Sequence, residues 1–379
     1  MPADFTLAIE QIHASGKPLV IAVTGGGSGA ISTLLSVPGA SRTVLEAIVP
    51  YERQALEEWV GGHVEQACSS ATARGMAMAA FQRANRLSEG EHCSQVRGIG
   101  CTASLATDRP KRGPHRAYVA WQSADRTVVL SIDFEKGVRT RAEEELLSSH
   151  LVLCAVAEAC EIDFPPLSNL GPSEDVKRQE CQAPRPWTEM LLNKRATVFV
   201  SPQGTRSTES PRLLFPGAFN PLHAGHLKMA RFAEAKIGRP VTFELSITNV
   251  DKPPLDFVEI RDRLAQFTDR DLLLTRAPTF IEKAAIAPGV TFVVGTDTIE
   301  RIADAAYYGN DREQRDAAIE RLGRAACRFL VFGREDASGF RTLAALDIPN
   351  ELRKLCDGVS ESEFRADLSS TQLRAADVD

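Results

Sequence analysis

The chain has 379 residues, 43% of them hydrophobic and 25% charged, a composition that is ordinary for a folded protein and leaves room for two domains. Its formal net charge of −6 at pH 7 supplies no basic field, so we expect no nucleic-acid partner and predict that a local site holds any anionic ligand. The eight cysteines lack the paired spacing of a zinc site, so we expect reduced thiols in a cytoplasmic protein and no protein-bound metal.

The first predicted strand, Leu19–Thr24, leads into a glycine-rich turn. The run from 18 to 41 has no charged residue, but its glycines and prolines favour a strand and a loop over a membrane span, so no membrane partner is expected. Residues 25–30 match the Gly-x-Gly-x-x-Ala pattern of dinucleotide-binding folds. That pattern is weak alone, and it is accompanied neither by a clear acidic residue at the tip of a second strand about twenty residues on nor by a Walker lysine.

Several short segments after this turn form a recognisable series. They read Ser-Val-Pro-Gly-Ala-Ser at 36–41, Ile-Val-Pro-Tyr-Glu at 48–52, Ala-Cys-Ser-Ser-Ala at 67–71, Gly-Ile-Gly-Cys at 98–101 and Pro-Lys-Arg-Gly-Pro-His-Arg-Ala-Tyr-Val-Ala at 110–120. The series resembles the CinA C-terminal family, whose active members are nicotinamide-nucleotide amidases. The resemblance implies a CinA C-terminal-like α/β domain at residues 1–165 with an amidase-like site.

The departures from that family concern its chemistry. In the family a strand ends in Glu-Ser-Cys-Thr-Gly-Gly with a nucleophilic serine, and here Thr24 stands at the serine and Val23 at the glutamate. Tyr51 matches the family's tyrosine, but Leu56 replaces the lysine five residues later. A hydroxyl without a nearby base is a poor nucleophile. We therefore expect a structural or ligand-sensing remnant; the alternative is attack by Thr24 or by Ser28.

Residues 166–210 are punctuated by proline, glycine and serine, with Gly-Pro-Ser-Glu-Asp at 171–175 and Ser-Pro-Gln-Gly-Thr-Arg-Ser-Thr-Glu-Ser-Pro at 201–211. This composition predicts a linker with a short packed piece at 187–200, followed by a second domain at 211–379. Beyond the linker, short apolar segments alternate with helical patterns, at 213–215, 241–247, 272–275, 290–295 and 328–332. Such alternation predicts an α/β fold with a parallel sheet covered by helices on both faces.

The second domain has two histidines, His223 and His226, and they are the only histidines after residue 150. They lie where the first apolar strand of that domain passes into a helix. The first turn of a helix attracts phosphate, and Gly217 and Gly225 leave room for close backbone approach. In the alternative interpretation, His223 is a turn residue and His226 a helix-start residue bonded to the backbone.

The histidines belong to a longer ordered string. Residues 217–226 read Gly-Ala-Phe-Asn-Pro-Leu-His-Ala-Gly-His. This string resembles the signature of the HxGH nucleotidylyltransferase superfamily, which includes nicotinate and nicotinamide mononucleotide adenylyltransferases, phosphopantetheine adenylyltransferase and the cytidylyltransferases. Residues 368–374, Leu-Ser-Ser-Thr-Gln-Leu-Arg, resemble the second signature of that superfamily. Their spacing is also that of a capping box, which would make them only a helix start.

The resemblance extends to residues between the two signatures. A lysine in the loop after the second strand contacts substrate phosphates in the superfamily, and Lys252 matches it by position, although a solvated loop lysine is the alternative. Gly295 and Asp297 resemble a Gly-x-Asp segment near the nucleotide, where Asp297 either binds a sugar hydroxyl or caps a helix. Arg334 follows the last strand and either meets a phosphate or forms a surface ion pair. Arg261 and Arg263 are expected to be exposed helix charges.

The resemblance implies adenylyl transfer from ATP with Mg²⁺, in a Rossmann-like domain whose ligands lie beyond the carboxyl ends of the strands. It implies catalytic roles for His223, His226, Lys252 and Arg374, and nucleotide binding by Gly217, Phe219, Gly225, Gly295, Asp297, Arg334, Ser370 and Thr371. Because the amidase family also handles pyridine mononucleotides, nicotinamide or nicotinate mononucleotide is the favoured acceptor. A cytidylyl- or phosphopantetheine-type acceptor and a non-catalytic nucleotide-binding regulator are the alternatives. The expected partners are small nucleotides, and self-association into a homo-oligomer stays open.

Overall fold

The computed structural model of the chain describes residues 3–88, 94–108, 112–201, 211–249, 253–336 and 339–365. The chain forms two compact units. The first unit comprises Met1–Arg195 together with Asp251–Arg261, and the second comprises Ala196–Val250 and Asp262–Asp379. Among the helices of the described ranges, none is both long enough and apolar enough to span a bilayer.

The first unit is a mixed sheet with helices on both faces. Its elements are α1 Ala3–Ala14, β1 Leu19–Thr24, α2 Gly29–Leu35, β2 Val44–Ile48, α3 Arg53–Trp59, α4 Ser70–Leu87, β3 Arg97–Ser104, β4 His115–Gln122, β5 Arg126–Phe134, α5 Arg141–Cys160, β6 Lys177–Gln182 and α6 Arg185–Leu191. The strand order is β2-β1-β3-β4-β5-β6, with β2, β1 and β3 parallel and the rest antiparallel.

Two glycines of β3 explain how closely α4 packs on this sheet. A Cβ atom on Gly98 would lie 2.1 Å from the carbonyl oxygen of Ala77, and one on Gly100 would lie 2.4 Å from that of Ala73. No other residue fits at such distances. The Gly-Ile-Gly segment that supported the family resemblance is therefore a helix-packing site in this chain.

Residues 253–261, which follow a strand of the second unit in the chain, belong to the first unit. Arg74 Nε lies 2.9 Å from Asp256 Oδ2, and both side chains are buried. The backbone N–H of Phe257 donates to Thr127 Oγ1 at 3.1 Å. The first unit is therefore discontinuous in sequence.

The second unit is a largely parallel sheet. Its elements are β7 Thr197–Val200, β8 Leu213–Pro216, α7 Ala224–Ile237, β9 Thr242–Ser246, α8 Phe257–Leu264 (of which 257–261 belong to the first unit), β10 Leu272–Thr275, α9 Phe280–Ile286, β11 Thr291–Gly295, α10 Thr296–Ala303, α11 Arg312–Arg324, β12 Arg328–Phe332, β13 Arg334–Asp336, β14 Gly339–Arg341, α12 Asn350–Arg353 and β15 Cys356–Gly358. The main strand order is β15-β12-β11-β8-β9-β10-β7, and only β7 is antiparallel to its neighbour. The α/β class and the parallel sheet predicted for this domain are confirmed.

The predicted linker contains regular structure. Within 166–210, β6 pairs antiparallel with β5, α6 follows it, and β7 pairs antiparallel with β10. Strand β6 reads Lys-Arg-Gln-Glu-Cys-Gln, and only Cys181 in it is buried. Such a polar edge strand carries no hydrophobic period, which is why composition alone indicates a linker.

Candidate functional site

The loop between β8 and α7 is shaped by one buried phenylalanine. Phe219 is 1% exposed, has a φ of 47°, and its ring packs against Phe215, Phe243 and Phe267 at centroid distances of 5.3 to 5.7 Å. A Cβ atom on Gly217 would lie 2.6 Å from this ring. The space that Gly217 leaves is therefore filled by Phe219 and is not left for a ligand. Phe219, predicted to bind nucleotide, instead lies in the core, because its ring completes this aromatic cluster.

The two histidines lie directly above this cluster. The ring of His226 meets Phe219 edge-on, with centroids 5.2 Å apart. The rings of His223 and His226 stack with centroids 3.7 Å apart and an interplanar angle of 24°. His223 is the N-cap residue of α7, and its backbone N–H donates to Nδ1 of His226 at 3.3 Å. This geometry is that of the helix-start interpretation, and no residue in the described ranges bonds to the Nε2 atom of His226.

This hydrogen bond sets the tautomer of His226. A nitrogen that accepts from a backbone N–H carries no proton, so the neutral ring is protonated at Nε2. Burial and the neighbouring His223 lower the pKa of His226 to about 3. Burial and the charge of Arg334 lower the pKa of His223. Both imidazoles are therefore neutral near pH 7, and His226 offers an N–H donor instead of a positive charge.

Arg334 supplies a positive charge at this edge of the sheet. Its Nη1 lies 3.2 Å from Asp297 Oδ2, and the two side chains are 48% and 41% exposed. A Cβ atom on Gly295 would lie 2.6 Å from Asp297 Oδ1, so the carboxylate folds back into the space that this glycine leaves. Because β8, β11 and β12 are adjacent and parallel, the structure brings His223, His226, Asp297 and Arg334 to the carboxyl ends of the same three strands.

Two further residues fix the loop that leads to His223. Arg263 Nη1 donates to the carbonyl oxygen of Ala218. Gln266 Oε1 accepts from the N–H of Leu222 at 2.7 Å, and its Nε2 donates to the carbonyl oxygen of Phe219 at 3.2 Å. These contacts span most of the loop between strand and helix. Neither role was predicted from the sequence.

The expectation that Arg261 and Arg263 are exposed charges is wrong. Arg263 is 9% exposed, and Arg261 Nη1 donates to the carbonyl oxygen of Glu180 at 3.0 Å within the first unit. Helical spacing contained a signal for Arg263, since it lies one turn after the buried Ile260. Of the other predicted residues, Gly225 is buried in the first turn of α7. Lys252, Ser370, Thr371 and Arg374 lie outside the described residues.

The first unit contains a separate cavity of about 480 Å³. Its lining includes Thr24, Ser28 and Tyr51, the three residues predicted as an amidase remnant, together with Arg141 and Glu145. Thr24 ends β1 and is buried, whereas Tyr51 is 66% exposed. The structure thus brings the three predicted residues to one cavity. Leu56, at the position of the family's lysine, is 2% exposed and buried in α3.

The glycine-rich turn beside this cavity is filled by Glu145, which sequence analysis did not single out. The N–H of Gly27 donates to Glu145 Oε2 at 2.8 Å, and that of Gly29 to Oε1 at 3.2 Å. The Ser28 hydroxyl donates to Oε1 at 3.1 Å. A carboxylate from α5 therefore occupies the donors that a phosphate would need. This arrangement argues against the dinucleotide-binding interpretation of the turn.

Residues 214–376 match a protein family described as cytidylyltransferase-like. No curated protein matches the chain. The N-terminal portion is similar to solved structures of CinA-type proteins. The competence/damage inducible protein CihA from Agrobacterium tumefaciens has 21% identity and a TM-score of 0.32, with 42% of this chain and 94% of that chain covered.

Two further solved structures show the same range of similarity. A competence-damaged protein (CinA) superfamily protein from Klebsiella pneumoniae has 14% identity and a TM-score of 0.33, covering 41% of this chain and 96% of its own. One from Escherichia coli has 16% identity and a TM-score of 0.30, covering 41% and 85%. The C-terminal half of the chain, residues 214–376, thus carries a cytidylyltransferase-like nucleotidyltransferase domain.

Proposed function

We propose that the C-terminal domain transfers AMP from ATP to the phosphate of a pyridine mononucleotide and releases pyrophosphate. The observation that carries this proposal is the stacked pair of neutral imidazoles, in which His226 presents a proton at Nε2 from a helix start. A neutral N–H donor held in a fixed orientation suits an oxygen on which charge develops as a phosphate bond breaks.

The proposed reaction needs no protein nucleophile. An oxygen of the acceptor phosphate attacks the α-phosphorus of ATP, and the bond from that phosphorus to the bridging oxygen breaks. Pyrophosphate leaves with the electron pair, and the new bond joins the two nucleotides. The protein's task is to align the reactants and to stabilise charge on the transferred group, which His226 does by donating from Nε2 and His223 by orienting that ring.

Cationic groups complete the proposed site. Arg334 lies close enough to His223 to depress its pKa, and this proximity supports a role for its guanidinium in binding the triphosphate. Lys252 and Arg374 are proposed, from the superfamily resemblance, to contact phosphates as well. Mg²⁺ bound to the triphosphate neutralises its charge when present. Among the described residues, no three metal-binding side chains lie close enough together to hold a metal ion. These residues therefore fit a metal ion that the nucleotide itself would hold, with Asp297 as the nearby carboxylate.

A pyridine mononucleotide is proposed as the acceptor because the two families that the halves of the sequence resemble both include enzymes that handle such nucleotides. Because the matched family is described as cytidylyltransferase-like, CTP is the competing donor. In the experiment, each donor, ATP or CTP, is incubated in the presence of Mg²⁺ with one acceptor at a time. The acceptors are nicotinamide mononucleotide, nicotinate mononucleotide and phosphopantetheine, and the release of pyrophosphate and the formation of the joined product are measured. Nucleotide binding without product from any pair would instead identify a regulator.

Two substitutions at His226 isolate the proposed donor. His226→Asn places its side-chain oxygen near the position of Nδ1 and keeps the bond from His223, but it lacks the Nε2 donor. His226→Gln places an N–H near Nε2. We expect a loss of about 100-fold or more in kcat for Asn and partial activity for Gln. The control is His63→Ala, at a surface position of the first unit; equal turnover in wild type and His226→Asn contradicts the assignment.

For the first unit we propose ligand binding with little or no amide hydrolysis. The supporting observation is that the cavity holds Thr24 and Ser28 while Leu56 is buried and Glu145 is engaged by the glycine-rich turn. Incubation of the full chain with nicotinamide mononucleotide should release no ammonia. Ammonia release that is lost in Thr24→Ala would establish an active amidase instead.

A further inference from the structure

Arg276 follows β10 at the same edge of the sheet as the histidine pair, and it has no role in the proposed phosphoryl-transfer step. Its Nε atom is buried and has no hydrogen-bond partner among the described residues. Burial lowers the pKa of its guanidinium, and no neighbouring charge within the described ranges contributes to that shift. Within the described part of the chain, this half-buried arginine therefore lacks the carboxylate or carbonyl partner that a buried guanidinium nitrogen normally has.

The backbone shows which face of the sheet this side chain occupies. The N–H of Arg276 donates to the carbonyl oxygen of Ala196 at 3.0 Å, so the ladder between β7 and β10 continues by one residue. The hydroxyl of Thr275 donates to Glu244. Because side chains alternate along a strand, Arg276 lies on the face opposite to Glu244.

The histidine pair occupies that same face. Phe243 precedes Glu244 in β9, so its side chain lies on the face opposite to Glu244, which is the face of Arg276. On that face Phe243 packs against Phe219. His226 rests on Phe219. In the strand order, β10 is separated from β8 by β9 alone, so the ends of β8 and β10 are about 10 Å apart.

We propose that Arg276 binds a carboxylate of the acceptor, so that the domain prefers a mononucleotide with an acidic base substituent over its neutral amide. This inference rests on the proposed function. The attacking phosphate must lie at the α-phosphorus, near the histidines. Arg276 follows a strand that lies two strand spacings from β8, and at that distance its guanidinium meets the base at the other end of the acceptor. The planar guanidinium donates two parallel hydrogen bonds to a carboxylate and is neutralised by it. A carboxamide carries no charge, so it leaves the positive charge of the arginine unneutralised.

The test compares nicotinate mononucleotide with nicotinamide mononucleotide, which share the phosphate and differ in the carboxylate. We expect wild type to prefer the nicotinate form in kcat/KM by about tenfold or more. Arg276→Gln should abolish this preference by losing activity on the nicotinate form alone, with an unchanged KM for ATP. Arg276→Lys should retain part of it. Arg321→Gln, an exposed helix position in the same unit, is the matched control.

Three results overturn the inference: no preference in wild type, an unchanged preference in Arg276→Gln, or an equal loss on both acceptors, which would place the guanidinium on the shared phosphate.

Calorimetric binding of each mononucleotide, with melting curves for each variant, separates this inference from the proposed reaction. Carboxylate-dependent binding that Arg276→Gln abolishes, without turnover in wild type, would refute the transferase and retain the role of Arg276. Binding that does not depend on Arg276 would refute that role.

Discussion

The backbone N–H of His223 points at Nδ1 of His226, 3.3 Å away, and thereby fixes the proton of the second imidazole on its far nitrogen. The helix start, the tautomer and the stacking of the two rings are consequences of one local geometry. The neutral state of His226 then has effects that can be measured in both activity and stability.

The first prediction concerns the dependence of stability on pH. The unfolded chain takes up a proton on His226 near pH 6.5, whereas the folded chain does so only near pH 3. The unfolded state therefore binds more protons between these values, and the stability contributed by the neutral ring is lost as the pH falls below 6.5. From pH 6.5 to 5, wild type should lose about 1–2 kcal/mol more than His226→Asn, as measured by urea unfolding. Parallel curves for the two proteins would contradict the low pKa.

The second prediction concerns Gln266, which holds the loop before His223. Gln266→Ala removes bonds to Leu222 and Phe219 and leaves their backbone groups without these partners. We expect a cost of about 1–3 kcal/mol in unfolding free energy and a loss of turnover of at least tenfold, because the histidines shift. Gln314→Ala, at an exposed position in α11, serves as the control in the same assays.

Much of the fold could be predicted because its determinants repeat along the chain. Apolar segments such as 272–275 and 328–332 mark buried parallel strands, and the position of His223 and His226 after β8 locates the candidate site at the carboxyl ends of these strands. The supports of the site could not be predicted in this way. Gln266 and Glu145 act through bonds to backbone atoms that are distant in sequence, and a single sequence does not show which backbone atoms it brings near them.

The third prediction concerns Gly217. Its substitution by alanine would drive a Cβ atom to within 2.6 Å of the Phe219 ring, which is itself enclosed by Phe215 and Phe243. We expect destabilisation of about 1–3 kcal/mol together with reduced turnover, since Phe219 supports His226. Gly238→Ala has open space at a φ of 70°, so it should cost about 1 kcal/mol of stability and leave turnover intact. Unfolding curves and pyrophosphate release distinguish the two variants.

The fourth prediction concerns a buried ion pair beneath the sheet edge. Lys283 Nζ lies 2.9 and 2.8 Å from the two carboxylate oxygens of Glu244, and the side chains are 6% and 1% exposed. Lys283→Met leaves a buried carboxylate without its cation and should cost about 3–5 kcal/mol. The double variant Lys283→Met with Glu244→Gln should recover part of that loss. No recovery in calorimetric unfolding would show that the pair is not the source of the effect.

The discontinuity of the first unit bears on how the chain can be divided. A fragment that stops at residue 165 lacks the edge strand Lys177–Gln182 and the segment that neutralises Arg74. A fragment that starts at residue 211 retains Asp256 but not its buried arginine. Neither fragment has a complete interior, so expression of either half in isolation should give insoluble or protease-sensitive material. If one half were exchanged for that of a homologue, residues 251–261 would have to be exchanged together with the first unit.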